Sequence, residues 1–242
     1  MTTAPLANEV IERYGGLARW NEFDTVTTHL RVGGALWGLK QQAGVMDDVF
    51  VRVTLREPRA SHYPFTAPHL RTSFAPHRVA IEDADGNVVS ELMDPRRSFE
   101  GHGLDTPWSL LQLAYFGGYA MWTYLNTPFL FAYDGVRTEE LPPWEENGET
   151  WRRVQATLPD HLPSHSAIQT FYFDADRLLK RHDYSADILG GTAAAHYTSD
   201  HVDVSGIPVP TKRWVLPRNP DGSTAAEPII VTIGLSEIAF QE

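Results

Sequence analysis

The chain has 242 residues, a formal net charge of −11, 42% hydrophobic and 21% charged residues, and no cysteine. Those figures suit one large β-rich domain with its own core, and they exclude disulfides, thiolate nucleophiles and cysteine-ligated metals. The acidic balance, with no Lys/Arg-rich block anywhere, argues against nucleic acid or an anionic membrane surface as partner.

The start, Met1-Thr2-Thr3-Ala4-Pro5, lacks a basic region followed by an apolar run, so a cytoplasmic protein is expected. Leu6 to Trp20 reads as an amphipathic helix with Val10, Ile11, Tyr14 and Leu17 on one face, and Gly15-Gly16 near its end. From Asp24 the pattern becomes β. Thr25 to Val32 is rich in β-branched residues, and Asp47 to Leu55 alternates, with Val49, Val51, Val53 and Leu55 facing one way. Ser73 to Glu82 reads as a further strand with His77, Val79 and Ile81 on one side. Asp83 to Asn87 then makes a hairpin turn into Val88 to Leu92.

No charged residue occurs from Thr106 to Tyr133. With Thr106 as N-cap and Pro107 as first helical residue, Trp108, Leu111, Gln112, Tyr115, Tyr119 and Trp122 share one face, and the opposite face is apolar too. Such a helix is buried or lies in a membrane, and the glycines, Asn126, Pro128 and tyrosines favour burial over membrane insertion. Strands resume at Trp151 to Leu158, Ser166 to Phe173, Leu178 to Ile188, His196 to Val204, Val209 to Leu216 and Ile229 to Leu235. Pro208, Pro210 and Pro217 suit bulges or edges. The expected organisation is one domain: an N-terminal helix (about 6–20), a first sheet half (about 24–100), a buried helical segment (about 106–131) and a second sheet half (about 150–240).

Tyr14-Gly15-Gly16, the meander turning at Asp83 to Asn87, and the late stretch Val204-Ser205-Gly206-Ile207-Pro208-Val209-Pro210-Thr211 together carry a resemblance. The layout resembles the lipoprotein-carrier (LolA-like) fold, which implies an incomplete antiparallel barrel whose helices line a hydrophobic cavity. The fold class expected is therefore α+β: a single-domain antiparallel half-barrel with helices lining or plugging its concave face. Carriers of this type work in the periplasm and hold lipid chains. The missing leader and the polar aromatics of the helical segment point to a smaller, ring-containing ligand.

The familiar catalytic signatures are missing: there is no Gly-Lys-Ser/Thr phosphate loop, no Gly-x-Ser-x-Gly elbow and no His-Glu-x-x-His helix. What stands out is ten histidines among Tyr and Trp. In Arg181-His182-Asp183-Tyr184, strand alternation puts His182 and Tyr184 on one face as a base and an oxyanion donor, against a structural role with Arg181 and Asp183 pairing outside. In the loop Arg96 to Asp105, Arg97 suits a carboxylate and His102 with Asp105 suits an acid–base pair; the plainer alternative is a helix-entry loop. Alternation sets His196, Thr198 and Asp200 on one face and Tyr197, Ser199, His201 and Asp203 on the other. His201 and Asp203 would ligate a metal only if His182 or His77 joined them, and a solvated strand face is the simpler reading. No metal and no cofactor are expected.

The expected ligand contacts are Arg97, Trp108, Tyr115, Tyr119, Trp122, Tyr124, His77 and His196, around a cavity between sheet and helix. Binding of a hydrophobic or aromatic small molecule is the leading expectation. A cofactor-independent enzyme of lyase, isomerase, cyclase or hydrolase type, using His182, His102, Tyr184 and Asp105, is the alternative.

Overall fold

A computed structural model describes residues 4–242; Met1 to Thr3, on which the reading of the N-terminus draws, lie outside the described residues. The first meander runs through β1 (Thr25–Gly33), β2 (Val49–Thr54), β3 (Ala60–Tyr63), β4 (Leu70–Ala75), β5 (Arg78–Asp83) and β6 (Val88–Met93). The second runs through β7 (Arg137–Glu146), β8 (Glu149–Thr157), β9 (Ile168–Phe173), β10 (Leu179–Ala186), β11 (Thr192–Val204), β12 (Ile207–Pro217) and β13 (Val231–Gln241).

All thirteen strands form one antiparallel sheet in the order β6-β5-β4-β3-β2-β1-β13-β12-β11-β10-β9-β8-β7. The first and last strands pair at its centre, Thr25 opposite Gln241 and Gly33 opposite Thr232, so chain-distant segments join the two meanders. The edges β6 and β7 stay apart, leaving an open half-barrel. Pro142 and Pro143 interrupt the β7 edge and leave no donor there for another chain.

Helix α4 (Leu110–Asn126) lies in the concavity against β2 to β6. Gln112 through Asn126 are buried without a break, as expected of a helix apolar on every side. Its start differs from the sequence reading. Ser109, not Thr106, is the N-cap, and a reciprocal capping box with Gln112 satisfies two backbone groups that Pro107 as first residue would leave elsewhere. Gly118 allows the close approach to the sheet: a Cβ there would fall 2.6 Å from the Cβ of Phe74 on β4.

The N-terminal helix is two pieces, α1 (Pro5–Arg13) and α2 (Gly16–Trp20), broken where Gly15 adopts φ 102°. Val10, Ile11 and Tyr14 face inward as expected, joined by Leu6, but the break turns Leu17 outward, 40% exposed. Ser73 to Glu82 is likewise two strands. Pro76 and His77 form the turn of the β4–β5 hairpin, in which Ala75 pairs with Arg78, so His77 leaves the face of Val79 and Ile81. The sequence reading passed over β3, β7 and the one-turn helix α3 (Leu36–Leu39). Pro208 and Pro210 sit inside β12, in the stretch paired with β11 only; β13 joins from Lys212, so the absent N–H groups disturb no ladder.

Candidate functional site

Antiparallel register turns the alternation of each strand into rows across the sheet. One row, Val154, Phe171, His182, His196 and Val215, runs from β8 to β12 on the concave face. The adjacent row, Arg153, Tyr172, Arg181, Tyr197 and Trp214, faces the convex side. There Arg181, wholly buried, is clamped by Asp183 at 2.6 and 2.9 Å and by Glu146 at 2.7 Å, with Tyr172 and Tyr197 stacked against its guanidinium. That row is a paired structural network.

The concave row carries polar groups into the core. His182 stacks on Phe171 with ring centroids 4.1 Å apart and donates from Nε2 to Gln169 Oε1 at 2.5 Å. From α4, Tyr124 meets this row edge-on, 4.5 Å from His196, and its hydroxyl lies 3.2 Å from that of Tyr184. The same hydroxyl is 2.6 Å from Nε2 of His165, whose Nδ1 lies 3.3 Å from the Tyr119 hydroxyl. Arg213 extends the cluster on β12, its Cζ 5.2 Å above the Tyr124 ring.

Burial fixes the protonation of these groups. It lowers His165 to about 3, helped by Arg96, and holds His182 and His196 well below their ordinary range, with the neighbouring imidazoles and the Arg213 guanidinium adding to the effect. Burial also raises Tyr124 to about 12 and Tyr184 well above its usual value. At neutral pH the imidazoles and phenols are therefore all uncharged. A neutral His165 accepts at one ring nitrogen and donates at the other, so it links Tyr124 and Tyr119 without a charge.

Two small apolar cavities adjoin the cluster. One, about 40 Å³, is walled by Leu30, Met46, Tyr124, Val215 and Ile233 among others. The second, about 80 Å³, reaches from His165 and Ala194 towards Leu104, Leu189 and Ile230 at the rim. They share Phe116, Tyr184, Val215 and Val231 as common wall.

The backbone is similar to that of a LolA superfamily protein from Nitrosomonas europaea, at 9% identity and a TM-score of 0.52, covering 99% of this chain and 95% of that one. It is also similar to a DUF1329 family protein from Desulfovibrio piger, at 9% identity and a TM-score of 0.55, covering 99% and 94%. The fold is LolA-like. No protein-family model matches the chain, and no curated protein matches its sequence.

Within this LolA-like half-barrel, His182, His196, Tyr184, Tyr124 and Tyr119 come together at the core cluster. Trp122 points away from it, its indole donating to the Thr54 carbonyl at 3.1 Å. Trp108 is buried beneath Lys40, whose ammonium lies 4.7 Å from its ring and donates to the carbonyls of Gly103 and Thr106. Tyr115, Arg97 and His77 line a separate hollow of about 430 Å³ at the rim, with Arg96 and Asp187. There Arg97 lies 3.8 Å from Glu100 and His77 3.4 Å from Asp94. His102 and Asp105 stand in the rim loop with no hydrogen bond or ion pair between them; burial lowers the Lys40 ammonium to about 8, and the Asp105 carboxylate partly offsets that.

Asp200 has φ 55°, which reverses the alternation of β11 beyond it. His201 consequently turns inward, 3.5 Å from the Tyr14 hydroxyl, whereas strict alternation set it opposite His196. Among the described residues no group of three His, Asp or Glu side chains is placed to hold a metal.

Sequence reasoning missed His165, Gln169 and Arg213. Arg213 had a signal: alternation puts it on the face of Ile207, Val209 and Val215, all core residues. Gln169 had the same signal, since alternation along β9 puts it on the face of the core residues Phe171 and Phe173; His165 had none, because the segment before β9 reaches the core only through the tertiary fold.

Proposed function

We propose that the chain binds a hydrophobic small molecule between α4 and the concave face of the sheet. The observation that carries this reading is the pair of apolar cavities with a common wall at Phe116, Tyr184, Val215 and Val231. Turning Phe116 and Tyr184 aside would merge them into one apolar slot. The LolA-like fold supports the reading, because that resemblance implies helices lining a hydrophobic cavity.

At about 40 and about 80 Å³ the cavities fall short of the roughly 300 Å³ at which ligand pockets begin. Binding therefore requires the rim to part. The parting would fall at the rim, where Leu36 of α3, Leu104 and Leu189 line the larger cavity and left-handed glycines at 101, 190 and 191 turn the two loops. Lys40, through its bonds to the carbonyls of Gly103 and Thr106, is the latch that holds the rim loop in place.

Less supports the enzymatic alternative. General acid–base work needs a group that exchanges protons near the working pH. His165 and Tyr184 do reach the larger cavity, but burial moves each of them away from neutrality in the direction that keeps it uncharged.

The test is titration of the purified, delipidated protein with the neutral fluorophore N-phenyl-1-naphthylamine. Saturable one-to-one binding is expected, lost in Ala194→Trp, which fills the larger cavity. Absence of saturable binding to the wild-type chain, together with no organic molecule released on denaturing the protein as purified, would sink the proposal.

A further inference from the structure

Two arginines are buried in this sheet, and they are treated oppositely. Arg181 has two carboxylates. Arg213, 4% exposed, has none among the described residues. Its Nε makes no hydrogen bond, and its side-chain bond, from Nη2 to the Tyr124 carbonyl, is long at 3.4 Å. A guanidinium taken out of water without a counter-charge is strongly unfavourable. Burial lowers its pKa to about 10, so the charge persists at neutral pH.

The groups around it supply no negative charge. Tyr14, Tyr124 and Tyr184 keep their protons, and His165, His182, His196 and His201 are neutral imidazoles. Of these, His196 is fully buried with both ring nitrogens unpartnered, so it too holds an unused donor. Arg213 lies opposite Thr198 on β11 and Ile233 on β13, and His196 lies opposite Val215, the next residue of β12 on the same face. Val215, Ile233 and Tyr124 all wall the smaller cavity. Two unsatisfied polar side chains therefore pack against Tyr124, directly behind the wall of an otherwise apolar space.

We propose that Arg213 and His196 receive the anionic end of the bound molecule, and that the ligand is an amphiphile with a carboxylate at the tip of an apolar body. A carboxylate balances one guanidinium charge for charge and fits its planar fork. A phosphate would leave excess negative charge in the core. This inference rests on the binding reading above and narrows its ligand to one chemical class.

The experiment compares two probes that differ only at the tip: 11-(dansylamino)undecanoic acid and its methyl ester, titrated at neutral pH. The wild-type chain is expected to bind the acid at least about tenfold more tightly than the ester, the scale of one charged hydrogen-bonded contact. Arg213→Met should bind both alike, with ester affinity within about threefold of wild type. Arg213→Lys should recover part of the preference for the acid. Removing an uncompensated charge should also make the ligand-free Arg213→Met chain melt higher than wild type, which a structural arginine would not do.

Equal binding of acid and ester by the wild-type chain would overturn the inference while leaving the apolar site standing. A preference for the acid that survives in Arg213→Met would overturn it as well. Binding of neither probe would sink the inference and the reading beneath it. If Arg213→Met does not fold, Arg213→Lys takes its place: a preference for the acid reduced from wild type supports the assignment, and an undiminished one overturns it.

Discussion

The Tyr124 hydroxyl lies 2.6 Å from Nε2 of His165, inside a core where neither group meets solvent. This contact ties the C-terminal half of α4 to the segment before β9, and Tyr184 shares the same hydroxyl at 3.2 Å. Tyr124→Phe would leave His165 and Tyr184 each short of a partner, which should destabilise the fold by about 1–3 kcal/mol. Urea unfolding followed by tryptophan fluorescence measures it. An unchanged midpoint would show that the hydroxyl contributes nothing.

Acid should unfold the chain through its buried histidines. Burial lowers His62 to about 4, His165 to about 3 and His201 to about 4, and His182 and His196 also lie well below their ordinary range. In the unfolded chain all of them titrate near 6.5, so between about pH 6.5 and 4 the unfolded state binds more protons than the native one. The stability they confer is complete above that window and is lost as pH falls through it. For His62 the displacement to about 4 corresponds to about 3 kcal/mol at most. Denaturation midpoints from pH 7 to pH 4 should show more than two protons taken up on unfolding. A slope of one proton or fewer would contradict the assignment.

Gly118 answers to Phe74. A methyl group there meets the phenylalanine side chain at 2.6 Å and below, close to the backbone of β4, which is paired on both sides within the sheet. Gly118→Ala should therefore cost about 1–3 kcal/mol through overpacking, despite the roughly 1 kcal/mol that alanine ordinarily adds to a helix interior. Thermal unfolding distinguishes the two signs directly. A higher melting temperature would mean that helix and sheet can separate at this point.

Asp183 tests whether the convex network is structural. Its carboxylate holds the buried Arg181 at 2.6 and 2.9 Å and accepts from the Tyr172 hydroxyl at 2.8 Å. Asp183→Ala removes one partner of a buried pair, for which about 3–5 kcal/mol of destabilisation is expected. Since the residue lies on the face opposite the cavities, naphthylamine affinity of the folded fraction should stay within about threefold of wild type. A large loss of affinity with stability retained would place function on the convex face instead.

Much of the fold was legible because short-range periodicity reports which side of a strand is buried. Val49, Val51, Val53 and Leu55 alternate and are all core. His182 and Tyr184 were set on one face and Arg181 and Asp183 on the other, as the structure has them. The misreadings have local causes. Pro76-His77 is a two-residue turn hidden inside an unbroken alternation. Asn147-Gly148 is a hairpin signal, both residues left-handed, that would have exposed β7 had it been weighed. Asp200, a single left-handed residue, redirects His201.

The sequence by itself determined the half-buried strands, the all-apolar helix and the polarity of the inner and outer rows, because these depend on neighbours two to four residues away. Only the tertiary structure decided that β1 would pair with β13, that His165 would arrive beneath Tyr124, and that Arg213 would find no carboxylate. Each of those depends on which distant segments share a face, and burial, not residue type, sets the charge of a histidine or leaves that of an arginine unpaired.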